Sequence, residues 1–299
     1  MPSKDRSAFT VICIAIVVSV IAFVSLAING DPNQKPDQKP EDSEKEKPDP
    51  KYVVPPLIEE PVELEKDEAK EKYGKQFLDI GLGGWAISKP GERRVVFPGV
   101  IMCRRGPVEY FACTEGGKDY ESVLKVYVDA LKLYIATNLI LRLKSGDIPK
   151  VLGKEDKAQG DRAIILMQWK DKGGKVVTYR AEDLIIDDSR KKTMPRIGWT
   201  YTGSYFQEIC DPETGKPTGK KEFAAFEEKL LIATFKTPSA IFNNPLPEAA
   251  VGTVGNPDSF LANWCILPPS NTLVKVIIRA PTDKEKEEIS KTEKSLVKK

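Results

Sequence analysis

The apolar positions of this chain change period several times, and each change predicts an element. The first apolar block is continuous: Ala8–Ile28 carries no charge over twenty-one residues. At about 1.5 Å per helical residue it spans roughly 30 Å, the apolar thickness of a bilayer. Lys4 and Arg6 precede it and Asp31 follows. The positive-inside rule therefore leaves residues 1–7 in the cytoplasm and exports the rest, making a single-pass anchor of residues 8–28. The alternative is a cleaved signal peptide and secretion to the periplasm, for which Ser25-Leu26-Ala27 supplies small residues. The run exceeds the usual ~7–15 residue core of such peptides, which favours the uncleaved anchor.

Residues 29–60 read as a linker. Asp31–Lys51 has no aliphatic or aromatic residue and carries Pro32, Pro36, Pro40, Pro48 and Pro50. Such a segment buries too little apolar surface to offset its chain entropy. In an extended polyproline conformation, at ~3.1 Å per residue, it reaches roughly 65 Å. Tyr52–Pro61 is apolar enough to pack on the domain that follows.

From residue 61 the pattern alternates. Val62–Gly74 reads as a surface helix. Val95–Cys103 and Val108–Cys113 are apolar runs across Arg105-Gly106, a hairpin signal, and Pro98-Gly99 inside the first marks an edge or bulge. Tyr120–Val128 has the β-branched content of a strand. Leu133, Ala136, Ile140 and Leu143 recur at helical spacing until Ser145-Gly146 and Pro149 stop the helix. Ala163–Trp169 and Lys175–Tyr179 form a second hairpin. Ala181–Asp187 is a short helix or turn. Gly198–Phe206, Lys229–Phe235 and Thr272–Arg279 are further strands, and Asp211–Lys221 is a loop. Seven or eight strands with one good helix predict an α+β domain over residues 61–280. Its sheet is mostly antiparallel and built from hairpins, with one main covering helix. Residues 281–299 read as a charged, mobile tail.

Composition narrows the chemistry. Net charge is +2, which gives no case for nucleic acid as a partner. There is no histidine, so Ser-His-Asp and Cys-His catalysis and His-ligated zinc are excluded. No catalytic motif is recognised, which leans away from an enzyme. Gly81–Gly84 lacks the strand-to-helix setting of a phosphate loop. Past the anchor, Cys103, Cys113, Cys210 and Cys265 allow zero, one or two disulfides. No pair has the C-x₂-C spacing of a zinc or iron–sulfur site, so no metal and no cofactor is expected. Trp169, Trp199, Tyr201, Phe206 and Trp264 read as core, and Arg93-Arg94 and Arg104-Arg105 as solvated turn charges. The densest polar stretch is Cys103–Ser122. Within it Glu109, Lys118, Glu121 and Ser122 form the candidate site: a structural salt bridge, a small-polar-ligand site, or a base or Ser-Lys nucleophile.

Gly106-Pro107-Val108-Glu109 and Lys118-Asp119-Tyr120-Glu121-Ser122 carry a family resemblance. With Trp169-Lys170-Asp171, Ile186-Asp187, Trp199–Ser204 and Ser239-Ala240, they resemble the YdjY-domain proteins of the planctomycete type, over about Gly99–Arg279. The resemblance implies a strand and then a helix across Tyr120–Leu143. Members often have His where this chain has Tyr120, so a ligand or base at that position does not carry over. The resemblance supplies a domain boundary and no activity. The expected function is a membrane-tethered extracytoplasmic domain with a structural or interaction role in the cell envelope, toward an envelope protein or polymer. The alternative is an exported enzyme or small-polar-ligand-binding domain using the Glu109/Lys118/Glu121/Ser122 cluster.

Overall fold

A computed structural model describes residues 54–146, 159–249 and 260–297. The expected anchor, and the linker up to residue 53, lie outside the described residues. Among the described residues no helix is long and apolar enough to cross a membrane.

The chain enters as an extended strap, then forms helix α1 (Lys66–Tyr73) and the strands β1 (Phe77–Gly81), β2 (Gly84–Ile87), β3 (Arg94–Ile101), β4 (Tyr110–Thr114) and β5 (Ser122–Val126). Helix α2 (Ala130–Ala136) continues into one wide π turn, Thr137–Leu141. Strands β6 (Arg162–Lys170), β7 (Val176–Arg180), β8 (Ile185–Asp187), β9 (Lys192–Thr193) and β10 (Trp199–Tyr201) follow. A ribbon of β11 (Phe206–Cys210) and β12 (Pro217–Phe223) leads to the short helix α3 (Ala224–Glu227). The chain closes with β13 (Leu230–Ala233), β14 (Phe242–Asn243), β15 (Phe260–Ala262), β16 (Leu273–Arg279) and helix α4 (Asp283–Val297).

Eight strands close into a barrel in the order β3-β16-β6-β10-β14-β13-β4-β5, with β5 returning to β3. This corrects the α+β expectation: the fold is mostly β, a closed barrel with a few short helices. The expected hairpin of Val95–Cys103 with Val108–Cys113 does not form. The Met102 and Cys103 N–H groups donate to the Val123 and Ser122 carbonyls, at 2.8 and 3.1 Å, which seats β5 beside β3. Strand β4 then lies on the far side of β5 and pairs with it in parallel. The second expected hairpin, β6 with β7, is present and antiparallel. An eight-stranded barrel is just wide enough for side chains to fill. Trp199 against Phe111 and Tyr201 against Phe242 do so, with ring centroids 5.7 and 5.4 Å apart.

Pro98 and Gly99 have a positional reason. Strand β2 pairs with β3 at residues 94–96 and β5 pairs with it at residues 99–101, on the same edge. Pro98 sits at the hand-over, where its carbonyl accepts from Tyr127 N (2.9 Å) and its lack of an N–H leaves no ladder bond unmade. A Cβ on Gly99 would lie 3.0 Å from Val126 Cγ1 and 3.2 Å from the Lys125 carbonyl, so the closing strand needs glycine there.

The strap crosses the outer face of the barrel. Ile58 N donates to Thr178 O on β7, and Gln168 on β6 holds both Pro61 O and Glu63 N. Lys275 on β16 donates to Glu63 O, and Arg94 on β3 pairs with the Glu63 carboxylate. The C-terminal segment also differs from expectation. It is a fifteen-residue helix rather than a mobile tail, held by buried Ile289 and by the Thr282–Glu285 capping box.

Candidate functional site

The GPVE and KDYES segments meet because β4 and β5 are parallel neighbours, in register at Tyr110 and Ser122. Glu109 and Glu121, each one residue before its strand, are therefore adjacent, and Glu109 N donates to Glu121 O at 3.0 Å. Gly116-Gly117 returns the chain for this meeting. A Cβ on Gly117 would sit 2.9 Å from Lys229 Cβ and 3.0 Å from Thr114 O. The turn places Lys118 Nζ between the carboxylates, 3.6 Å from Glu109 Oε2 and 3.5 Å from Glu121 Oε2. The ammonium also lies 5.4 Å from the Tyr110 ring centroid, a cation–π contact that sequence reasoning missed.

Partial burial works against the Lys118 charge, but the Tyr110 phenol and the Glu121 and Glu109 carboxylates outweigh it and hold its pKa above lysine's ordinary value. The phenol acts electrostatically only once ionised. At neutral pH the carboxylates do the work, and Lys118 is an ammonium rather than a base. Ser122 is buried, and its hydroxyl donates to the Lys118 carbonyl at 2.7 Å. A Ser-Lys nucleophile needs the hydroxyl aimed at a neutral amine; here the amine is charged and the hydroxyl is engaged by backbone. Tyr120 is 68% exposed.

The cysteines are scattered. Cys103 Sγ faces the Tyr120 and Asp119 carbonyls, at 3.0 and 3.5 Å, and Cys113 Sγ faces the Leu124 carbonyl. Both carry free thiols, and burial pushes both upward in pKa, away from the thiolate a nucleophile needs. Cys210 is an exposed thiol on the ribbon. Cys265 is half-buried in a turn, where its N–H donates to Asn263 Oδ1. Among the described residues no three His, Cys, Asp or Glu side chains are placed to hold a metal.

Other expectations resolve differently. Trp199 and Tyr201 are fully buried, whereas Phe206 is half exposed. Arg105 is exposed at a bend, as expected, and also lies over the Trp264 ring, whereas Arg104 is half-buried and donates to Leu267 O. Among the described residues one surface groove, of about 440 Å3, lies between α4 and the start of β6, and another, of about 480 Å3, lies between the strap and β7. The Glu109–Lys118–Glu121 cluster lines neither.

A second charged cluster went unread in the sequence. Arg180 and Glu182 are both buried and pair at 2.5 Å, and Glu182 also accepts from Gly198 N. Neighbouring Asp183 accepts two bonds from Arg196, at 2.7 and 2.9 Å, and one from Arg180 N. Burial raises the Asp183 pKa against the opposing pull of Arg196. The available signal was a charged Arg-Ala-Glu-Asp step between two apolar runs, Val176–Tyr179 and Leu184–Ile186.

These features define a closed β-barrel domain with one half-exposed charge cluster at the start of two parallel strands. The chain belongs to the YdjY-domain family, whose model, described as the YdjY domain, matches residues 94–279. The match begins with β3 and ends with β16, so it contains all eight barrel strands and leaves α1, β1, β2 and α4 as flanks. No curated protein matches the chain, and no solved structure does.

Proposed function

We propose that this protein is a membrane-tethered extracytoplasmic domain with a structural or binding role in the cell envelope, toward an envelope protein or polymer. The observation that carries this reading is the charge-free run Ala8–Ile28, preceded by Lys4 and Arg6 and followed by a Pro-rich polar spacer. The chemistry of the Glu109–Lys118–Glu121 cluster supports a non-catalytic role, because its lysine is charged and its serine is engaged by backbone. A second reading, a small-polar-ligand site, is favoured by the same convergence. Two carboxylates share one ammonium, which leaves a surplus negative charge suited to an amine or guanidinium.

Alkaline extraction of membranes from expressing cells, with protease digestion of spheroplasts, tests the tether. The expected result is a full-length chain retained in the membrane pellet, its C-terminal epitope digested by external protease. A chain released by alkali with a new N-terminus near residue 28 would replace the anchor with a secreted domain. An epitope protected until lysis would overturn the extracytoplasmic placement.

A further inference from the structure

Helix α2 and its π turn are apolar on both faces. Leu133, Ala136 and Ile140 are buried against the barrel, as amphipathic packing requires. The opposite face carries Leu131, Ile135 and Leu139, spaced four residues apart and exposed by 37%, 42% and 72%. A helix that is apolar all round is ordinarily buried, yet this face meets solvent. The apolar surface continues sideways: Tyr134 contacts the ring of half-exposed Phe206, with centroids 6.3 Å apart. The exposed charges along the segment are cationic, namely Lys132, Arg142 and Lys144. Three neighbouring carboxylates make bonds of their own, while Glu227 is exposed on α3. Asp129 caps α2 by accepting from Lys132 N, Asp79 pairs with Lys66, and Asp161 accepts from Lys144 N.

We infer that the outer face of α2 docks on an anionic lipid surface, so that the tethered domain lies on the bilayer rather than standing off it. The inference rests on the tethered reading above. An apolar stripe with flanking cations and a neighbouring aromatic is the pattern of an interfacial helix, and the exposed cations of the segment itself, Lys132, Arg142 and Lys144, suit an anionic headgroup.

The full chain reconstituted into vesicles tests this, with tryptophan placed by Leu139→Trp on the stripe and by Lys172→Trp at the exposed β6–β7 turn. Brominated phosphatidylglycerol or brominated phosphatidylcholine serves as quencher, with the wild-type emission subtracted. Docking predicts that the residue-139 signal loses most of its intensity in brominated phosphatidylglycerol and little in the phosphatidylcholine, while the residue-172 signal is unchanged in both. Ile135→Trp gives a second reporter on the same face. Equal quenching of all three in vesicles that retain the chain overturns the docking and leaves the tether standing. A blue-shifted residue-139 signal insensitive to bromine also overturns it, since protein then covers the face. Equal quenching by both lipids overturns the anionic assignment. A chain that fails to float with vesicles overturns docking and tether together.

Discussion

Two charged clusters in this molecule use the same kinds of residue with different consequences. Lys118 sits between Glu109 and Glu121 with all three side chains a third or more exposed. Arg180 and Glu182 pair with side chains 6% and 0% exposed. Water screens the first group, so its pairing contributes little stability and its charges remain available to an outside partner. The second group has lost its hydration and depends on its internal bonds. It ties the turn after β7 to Gly198, and beside it Arg196 ties Asp183 to the strap through Pro56 O. The position of a charge in the fold, rather than its spacing in sequence, decides whether it belongs to a surface or to a scaffold.

The largest effect belongs to the buried pair. Glu182→Ala strands the Arg180 guanidinium without its carboxylate and is expected to cost about 3–5 kcal/mol in chemical denaturation. The double variant Arg180→Met/Glu182→Leu removes both charges and costs less than the single, although Gly198 N loses its acceptor. A single-variant loss below about 1 kcal/mol would mean that this pair behaves like the surface cluster, and the contrast would collapse.

Next comes Glu285, which anchors α4. Burial opposes its charge, but Arg279 and the Thr282 N–H and hydroxyl outweigh that and lower its pKa to about 2. A depressed carboxylate stabilises the fold above its unfolded pKa and loses that contribution as pH falls. The window here runs from the ordinary value of 4.5 down to about 2. The shift corresponds to about 3 kcal/mol, and Glu285→Gln is expected to flatten the wild-type stability profile across that window. An unchanged slope in the variant would show that the carboxylate is solvated in the folded protein and that α4 is held by Ile289 and the Arg162–Glu293 pair instead.

Much of this architecture was legible locally. Strands β3, β6 and β16 were visible because β-branched runs between turn signals report burial directly. Their closure into a barrel was not. Pairing β3 with β5 rather than β4, or β16 with β6 roughly a hundred residues earlier, is a matter of register between segments that no local period encodes. Asp211–Lys221 reads as a loop although it holds most of β12, because the faces of the β11–β12 ribbon are largely exposed on both sides and carry no apolar alternation. Helix α4 was read as tail because its charges dominate, yet Thr282-x-x-Glu285 and the seven-residue interval from Ile289 to Leu296 were already present. In the candidate site the Lys118–Glu121 spacing was readable. Glu109 was included through an expected hairpin; the parallel register of β4 and β5 that brings it there, and the Tyr110 ring beneath the ammonium, carry no local signal.

The smallest expected effect is also the sharpest test of the surface cluster. Lys118→Ala removes the shared cation and opens the shielded Glu121 Oε2 to the water that already reaches Glu109, so the loss of stability should stay below about 1 kcal/mol. The pH dependence has a definite sign. The folded-state pKa of Lys118 is raised, so its contribution is fully present below the ordinary lysine value of 10.5 and fades as pH rises through the folded-state value. The wild-type and Lys118→Ala denaturation midpoints should therefore differ slightly at neutral pH and converge in strong alkali, and added salt should narrow the neutral-pH gap. A loss of several kcal/mol, insensitive to salt, would place the cluster with Arg180 and Glu182 as scaffold. A small, salt-sensitive loss leaves its two carboxylates free to serve a ligand or partner, which is the property that distinguishes this cluster from the buried Arg180–Glu182 pair.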